Sequence, residues 1–297
     1  MSVIELDQTN EQYHADVSIL SNSAKELSIR NPRLFKAIYI DRTQQPAPAT
    51  PARRLGGAAH KLILEYEDFG KCYLVQPEAN RATTAGKELI KAFDLGYGIT
   101  REKVNGVEVV TAPGGMTVIS TKEHSEALKI RDAVMGSTLA RRLIESEGET
   151  EHSFAWEDAD TGIMLKSRPD KTLLANVILD IKTCRLASPA NFTSDCHKHG
   201  YPRTAAWRIR GHFARSGVLP VHLFIAVSKE TGDVGVYELG EQELALGQRQ
   251  NDAALRKIMD YTESGNWLPE WSRSPMVLRF SPWQMTEAFE LEDDDNE

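Results

Sequence analysis

The stretch "RPDKTLLANVILDIKT", residues 168–183, decides how the chain is read. Its second half, Val177-Ile178-Leu179-Asp180-Ile181, has the β-branched, apolar make-up of a buried strand, with an acid inside it. Residues two apart in a strand face the same way, so Asp180 and Lys182 share one face and Ile181 takes the other. Asp170 ends the preceding strand-like segment, and a turn around 171–175 folds it back until its carboxylate nears that of Asp180. Two carboxylates converging on one point repel unless a cation sits between them. Oxygen donors with open water positions suit Mg²⁺ or Mn²⁺. An ammonium beside that ion, Lys182, would orient and help deprotonate an attacking water, or offset charge building on a phosphate. The competing reading is an Asp–Lys surface pair on an edge strand, worth about 0–1 kcal/mol. Against it stands the apolar run before Asp180, because a carboxylate at the end of a buried strand needs a strong partner.

Two other residues could join the aspartates. His60 follows "LGGAA", whose glycines and alanines permit close backbone approach. A helix packed that closely against the sheet would aim His60 at the carboxylates as a third ligand; otherwise it is a helix histidine with an ordinary hydrogen bond. Glu151, at the start of the first strand of this region, is either a further ligand, for this cluster or a second metal, or an exposed strand acid.

The 297 residues are 41% hydrophobic and 26% charged, an ordinary globular composition. No apolar run approaches the roughly 18–20 residues of a membrane span. The stretch "MSVIELDQTNEQYHAD" lacks a basic then apolar leader pattern, so no secretory signal is expected. Three cysteines, Cys72, Cys184 and Cys196, without a C-x-x-C pair argue against a disulfide framework, a structural zinc site or a four-cysteine iron–sulfur cluster, and fit a reducing cytoplasm.

Net charge is −8, but seven acids lie between Glu287 and Glu297, and the rest of the chain is about neutral. Between Lys182 and Arg215 stand seven bases (Lys182, Arg185, Lys198, Arg203, Arg208, Arg210 and Arg215) and one acid, Asp195. Local positive charge of this kind is what phosphates respond to; the alternative is a solvated basic helix face.

Along the chain, 17–40 reads as two short helices, capped by Ser21 or Ser23 and started by Asn31-Pro32. Residues 41–52 are Pro-rich and read as an extended loop. Further helices are expected over 53–69, in the later part of 80–96, over 121–146 with an interruption near Gly136, over 188–216 and over 241–264. "GVEVVTA" reads as a short strand. From 150 the period becomes two, and "TEHSFAWED", "GIMLKSRPD" and "NVILDIKT" read as consecutive antiparallel strands; "VHLFIAVSKETGDVGVYEL" reads as a hairpin. These elements predict an α/β fold in one domain over 1–286, a mixed central sheet flanked by helices. It divides into an N-terminal helical part, 15–146, and a β-sheet core, 150–285, followed by a disordered acidic tail, 287–297.

The segments "GGAAH", "RPD", "LDIKT" and "GYPRTAAW", in this order and spacing, resemble the RecE-type exonucleases, exodeoxyribonuclease VIII and its phage relatives. These belong to the PD-(D/E)xK nuclease superfamily, with the lambda-type exonuclease a more distant cousin. "LSNSAKEL", "NPRLF" and "NRATTAGKE" extend the resemblance, which covers roughly 15–285. It implies that His60, Asp170, Asp180 and the Ile181 carbonyl hold Mg²⁺, with Lys182 as the catalytic lysine. It also implies an exonuclease that degrades the 5′-ended strand of duplex DNA without ATP. The remaining 3′ strand goes to a single-strand annealing protein, and such enzymes form rings around DNA. A phage or prophage protein in the bacterial cytoplasm is the matching setting. Tyr201 and Arg203 fit the pattern of the following helix, but Thr204 stands where the family has a glutamine, and Arg208 where an aromatic is common. Threonine lacks the amide, so phosphate positioning would rest on Arg203, Arg208 or a water, with Arg210 adding to the basic DNA-facing segment. Another superfamily endonuclease, or a nuclease fold that only binds DNA or protein, are the alternatives.

Overall fold

Residues 171–173 and 177–184 form an antiparallel hairpin that turns at 174–176. A short strand thus occupies 171–173, where the sequence reading has the turn, and Asp170 lies in the bend just before it. The structure, a computed structural model, describes residues 3–47, 49–104 and 107–280. Its strands are β1 (Val3–Leu6), β2 (Leu20–Ser21), β3 (Tyr73–Gln76), β4 (Thr100–Val104), β5 (Val107–Thr111), β6 (Thr117–Ser120), β7 (Gly148–Thr150), β8 (Ser153–Glu157), β9 (Met164–Ser167), β10 (Lys171–Leu173), β11 (Val177–Cys184), β12 (Val221–Ser228) and β13 (Val234–Glu238). Its helices are α1 (Asn10–Ala15), α2 (Asn22–Arg30), α3 (Pro32–Phe35), α4 (Pro51–Leu64), α5 (Phe69–Cys72), α6 (Thr84–Tyr97), α7 (Thr121–Gly136), α8 (Thr138–Glu145), α9 (Pro189–His199), α10 (Tyr201–Ser216) and α11 (Glu241–Ser264).

Local chemistry sets many of these boundaries. Ser21 caps α2 through its side chain, Asn31 caps α3 ahead of Pro32, and Ser120 with Glu123 forms a capping box on α7. Thr50 caps α4, so that helix begins inside the Pro-rich segment and ends at Leu64, short of the expected 69. The helix expected over 188–216 is two. Gly200 takes φ +69, a left-handed conformation that terminates α9 and lets Pro202 enter the first turn of α10.

The central sheet has the order β13-β12-β11-β10-β7, with β11 and β12 parallel and the other pairs antiparallel. A second sheet, β1-β8-β9-β2, stands beside it, and β3-β6 and β4-β5 form small pairs. This corrects the three-strand meander read from the sequence. β8 and β9 do pair, but β11 belongs to the other sheet, with β10 as its hairpin partner. Pro169, which has no N–H to give a ladder, stands just past the end of β9, and the chain crosses between sheets at 168–170. β1 pairs with β8 and β2 with β9, which weaves the start of the chain into the second sheet. The acidic tail, 287–297, lies outside the described residues.

Three apolar clusters fasten the layers. Leu179, Ile181, Ile225 and Val227 meet Leu55, Ala59 and Leu62 of α4, with α7 and α8 behind. Phe224 and Ala226 occupy the opposite face and meet Phe192, Cys196 and Ala205 of α9 and α10. Phe154, Trp156 and Leu165 of the second sheet pack on Trp207 of α10 and Leu255 and Ile258 of α11. Leu179 and Ile181 are fully buried, and each such side chain contributes about 1.5–3 kcal/mol. They anchor the strand that carries Asp180. Among the described residues no helix is long and apolar enough to cross a membrane.

Candidate active site

The hairpin register explains why the two aspartates meet. Lys171 pairs with Leu179, and continuing that register past the start of β10 would set Asp170, in the bend before it, opposite Asp180. Opposite residues of an antiparallel pair share a face. Asp180 is in register with Phe224 on the parallel side, so this face looks towards α9 and α10. Asp170 is 7% exposed, and its Oδ2 accepts the Ile181 N–H at 2.7 Å. Asp180 is fully buried, and its Oδ1 lies 2.5 Å from Lys182 Nζ. The Lys182 ammonium also sits 5.2 Å from the centre of the Tyr201 ring, which itself stacks on Phe224.

Helix α4 brings in His60, whose Nδ1 is 3.5 Å from Asp170 Oδ2. Gly57 makes its close approach possible, since a Cβ there would stand 2.8 Å from the Tyr73 hydroxyl, while Ala58 and Ala59 are fully buried. Glu151 touches Asp170 through its backbone, its N–H donating to the Asp170 carbonyl at 3.0 Å, while its carboxylate pairs with Arg168 at 3.2 Å. The structure therefore gathers Asp170, Asp180, Lys182, Ile181 and His60, and leaves the Glu151 side chain tied elsewhere.

The expected DNA-facing arginines are placed differently. Arg208 reaches in from α10 between the two aspartates: Nη2 donates to Asp170 Oδ1 at 3.0 Å, and Nη1 lies 2.8 Å from Asp180 Oδ2. Burial opposes the Asp180 charge, but Arg208 and then Lys182 outweigh it and hold the carboxyl well below the usual range. Burial likewise opposes the Arg208 charge, and Asp180 and Asp170 overcome it and raise its pKa. Arg203 makes a two-pronged pair with Glu26 of α2, at 2.7 and 2.8 Å. Arg210 pairs with Asp158, Asp160 and Asp252, and Arg215 with Glu5 and Glu149. Arg203, Arg208, Arg210 and Arg215 are thus each paired with acids of the fold. Thr204 accepts a hydrogen bond from the Asn22 amide at 3.2 Å.

Sequence reasoning missed His222 on β12. Its Nε2 is 4.0 Å from Asp180 Oδ2, neither ring nitrogen has a hydrogen-bond partner among the described residues, and burial pushes its pKa down to about 3. The only hint was one imidazole in the apolar strand "VHLFIAV".

Among the described residues no three His, Cys, Asp or Glu side chains are drawn together as a ready-made metal cluster. The donor set still fits a hard divalent cation: two carboxylates and an imidazole. Asp180 Oδ2 is buried and ion-paired with Arg208 Nη1 at 2.8 Å, so a cation already sits against the oxygen a metal would take.

The site thus sits on a mixed sheet flanked by helices, with two aspartates drawn together and a lysine two residues past the second on one strand. The chain belongs to the family described as the PDDEXK-like domain of unknown function (DUF3799), whose model matches residues 36–270. Among solved structures it is similar to the crystal structure of a protein from Eubacterium rectale described as a "putative exonuclease". The two are 12% identical with a TM-score of 0.59, over 95% of this chain and 98% of the other. A search of the curated proteins found no match.

Proposed function

We propose that this chain is a RecE-type exonuclease that hydrolyses the 5′-ended strand of linear duplex DNA, leaving a 3′ single strand. The observation that carries this reading is the convergence of the Asp170 and Asp180 carboxylates, 3.0 and 2.8 Å from the two ends of one guanidinium, with Lys182 beside Asp180 on β11. Membership of a PDDEXK-like family and likeness in fold to a protein described as a putative exonuclease support it. His60, Asp170, Asp180 and the Ile181 carbonyl would hold Mg²⁺ or Mn²⁺. Bound there, such an ion would acidify a water and offset charge on the scissile phosphate. The Ile181 N–H fixes the Asp170 carboxylate in place. Lys182, held by Asp180 and the Tyr201 ring, presents its ammonium where it can orient the attacking water or stabilise the phosphorane-like charge. Tyr201 and Thr204, at the start of α10, are the substrate contacts this reading favours. It further takes duplex ends as the substrate, a single-strand annealing protein as recipient of the product, and a ring of copies around the DNA.

The test is digestion of linear duplex labelled at one 5′ or one 3′ end, with Mg²⁺ or with EDTA. Release of the 5′ label in Mg²⁺, retention of the 3′ label and no cleavage in EDTA are expected. Cutting of covalently closed circles, or loss of the 3′ label first, would contradict the exonuclease assignment.

A further inference from the structure

Arg208 occupies the point on which both carboxylates converge. Its side chain is 13% exposed, and it reaches Asp170 Oδ1 and Asp180 Oδ2 with its two terminal nitrogens. The fit is uneven. Nη2 makes a well-directed hydrogen bond with Asp170, whereas Nη1 and Asp180 Oδ2, 2.8 Å apart, form an ion pair of poorer hydrogen-bond geometry, with no better partner for either atom among the described residues. With Lys182 on the other oxygen of Asp180, two cations already balance two carboxylates. A divalent ion added to that arrangement would put surplus positive charge in a buried space. The ion and the guanidinium also need the same oxygens.

We propose that Arg208 is a built-in competitor of the divalent ion: it is the resident counter-ion of the paired aspartates, and the metal gains the site only by displacing it. This rests on the metal reading of the site given above. The guanidinium keeps two buried carboxylates from facing each other unpaired, so the site is preformed without metal. In return, the apparent metal affinity falls by the fraction of molecules whose oxygens are free of the arginine. Two consequences oppose each other. Removing the guanidinium tightens metal binding, and it also destabilises the metal-free protein, because the carboxylates lose their partner. Metal then restores more stability to the variant than to the parent. A purely structural arginine would lower stability without tightening metal binding.

The test uses the full chain without DNA. Mn²⁺ binding is followed by electron paramagnetic resonance for the parent, Arg208→Met and Arg208→Lys, beside thermal melting with and without the ion. Arg208→Met is expected to bind Mn²⁺ about tenfold or more tightly than the parent. Its melting temperature should be lower without metal and should rise further than the parent's with it, and Arg208→Lys should fall between. Should Arg208→Met not fold, the parent itself decides: the Arg208 guanidinium resonance in an arginine ¹⁵N spectrum should shift as Mg²⁺ is titrated. A parent that binds Mn²⁺ while Arg208→Met binds it no more tightly overturns the proposal alone. So does an Arg208 resonance unchanged at Mg²⁺ saturation. If neither folded protein binds Mn²⁺, the metal reading falls and the proposal falls with it.

Discussion

Strand β11 and helix α10 face each other across the site, and both are charged, but their charges behave differently. On β11 the pleat alternates faces. Asp180 and Lys182 must look the same way, and Ile181 must look into the core. On α10 each residue turns about 100° from the last, so its arginines diverge. Arg203 finds Glu26, Arg208 finds Asp170 and Asp180, Arg210 finds Asp158, and Arg215 finds Glu149. Every one of those acids except Asp170 and Asp180 lies outside the motif read from sequence. A run of bases that resembles a phosphate-binding face is, in the folded chain, a set of struts between α10 and its neighbours.

That contrast can be broken most sharply at Arg210. Its partner Asp158 is 1% exposed, so Arg210→Met leaves a buried carboxylate without its cation. A loss of about 3–5 kcal/mol of stability is expected in denaturant titration. Charge reversal at Arg203, Arg208 and Arg210 together should unfold the chain. If Arg210→Met instead keeps its stability and only weakens DNA binding, α10 is a phosphate face after all.

A smaller effect sharpens the β-sheet side. Burial keeps His222 neutral down to about 3, against an ordinary 6.5 in the unfolded chain. The unfolded state therefore takes up the proton first. The His222 contribution is fully present above pH 6.5 and is lost as pH falls towards 3. Asp180, whose folded pKa is depressed, acts in the same direction as pH falls below its ordinary 3.8. Unfolding free energy should drop by up to about 1.4 kcal/mol per pH unit from His222 below 6.5. His222→Gln should flatten that slope above pH 4. An unchanged slope would mean that the imidazole is hydrated in solution.

The paired aspartates and the facing of Lys182 were legible because a hairpin and a two-residue period depend on neighbouring residues. So were the capped starts of α2 and α3, and α11, read as 241–264. His60 was legible as a candidate through the small residues before it. The split of the meander into two sheets was not, although Pro169 marks the break. The division of α9 from α10 at Gly200 had a visible glycine but no way to know its backbone angle. The arginine partners were least legible, since Glu26, Asp158 and Glu149 are brought to α10 only by tertiary packing.

Asp180→Asn measured beside Lys182→Met tests the central claim, a carboxylate-held metal with a separate catalytic ammonium. Isothermal titration of Mn²⁺ and single-turnover cleavage of linear duplex are read on the same proteins. Asp180→Asn should lose both metal binding and cleavage. Lys182→Met should keep metal binding and lose cleavage by on the order of 10²-fold or more. Metal binding undiminished in Asp180→Asn, or cleavage at the parent rate in Lys182→Met, would contradict the account.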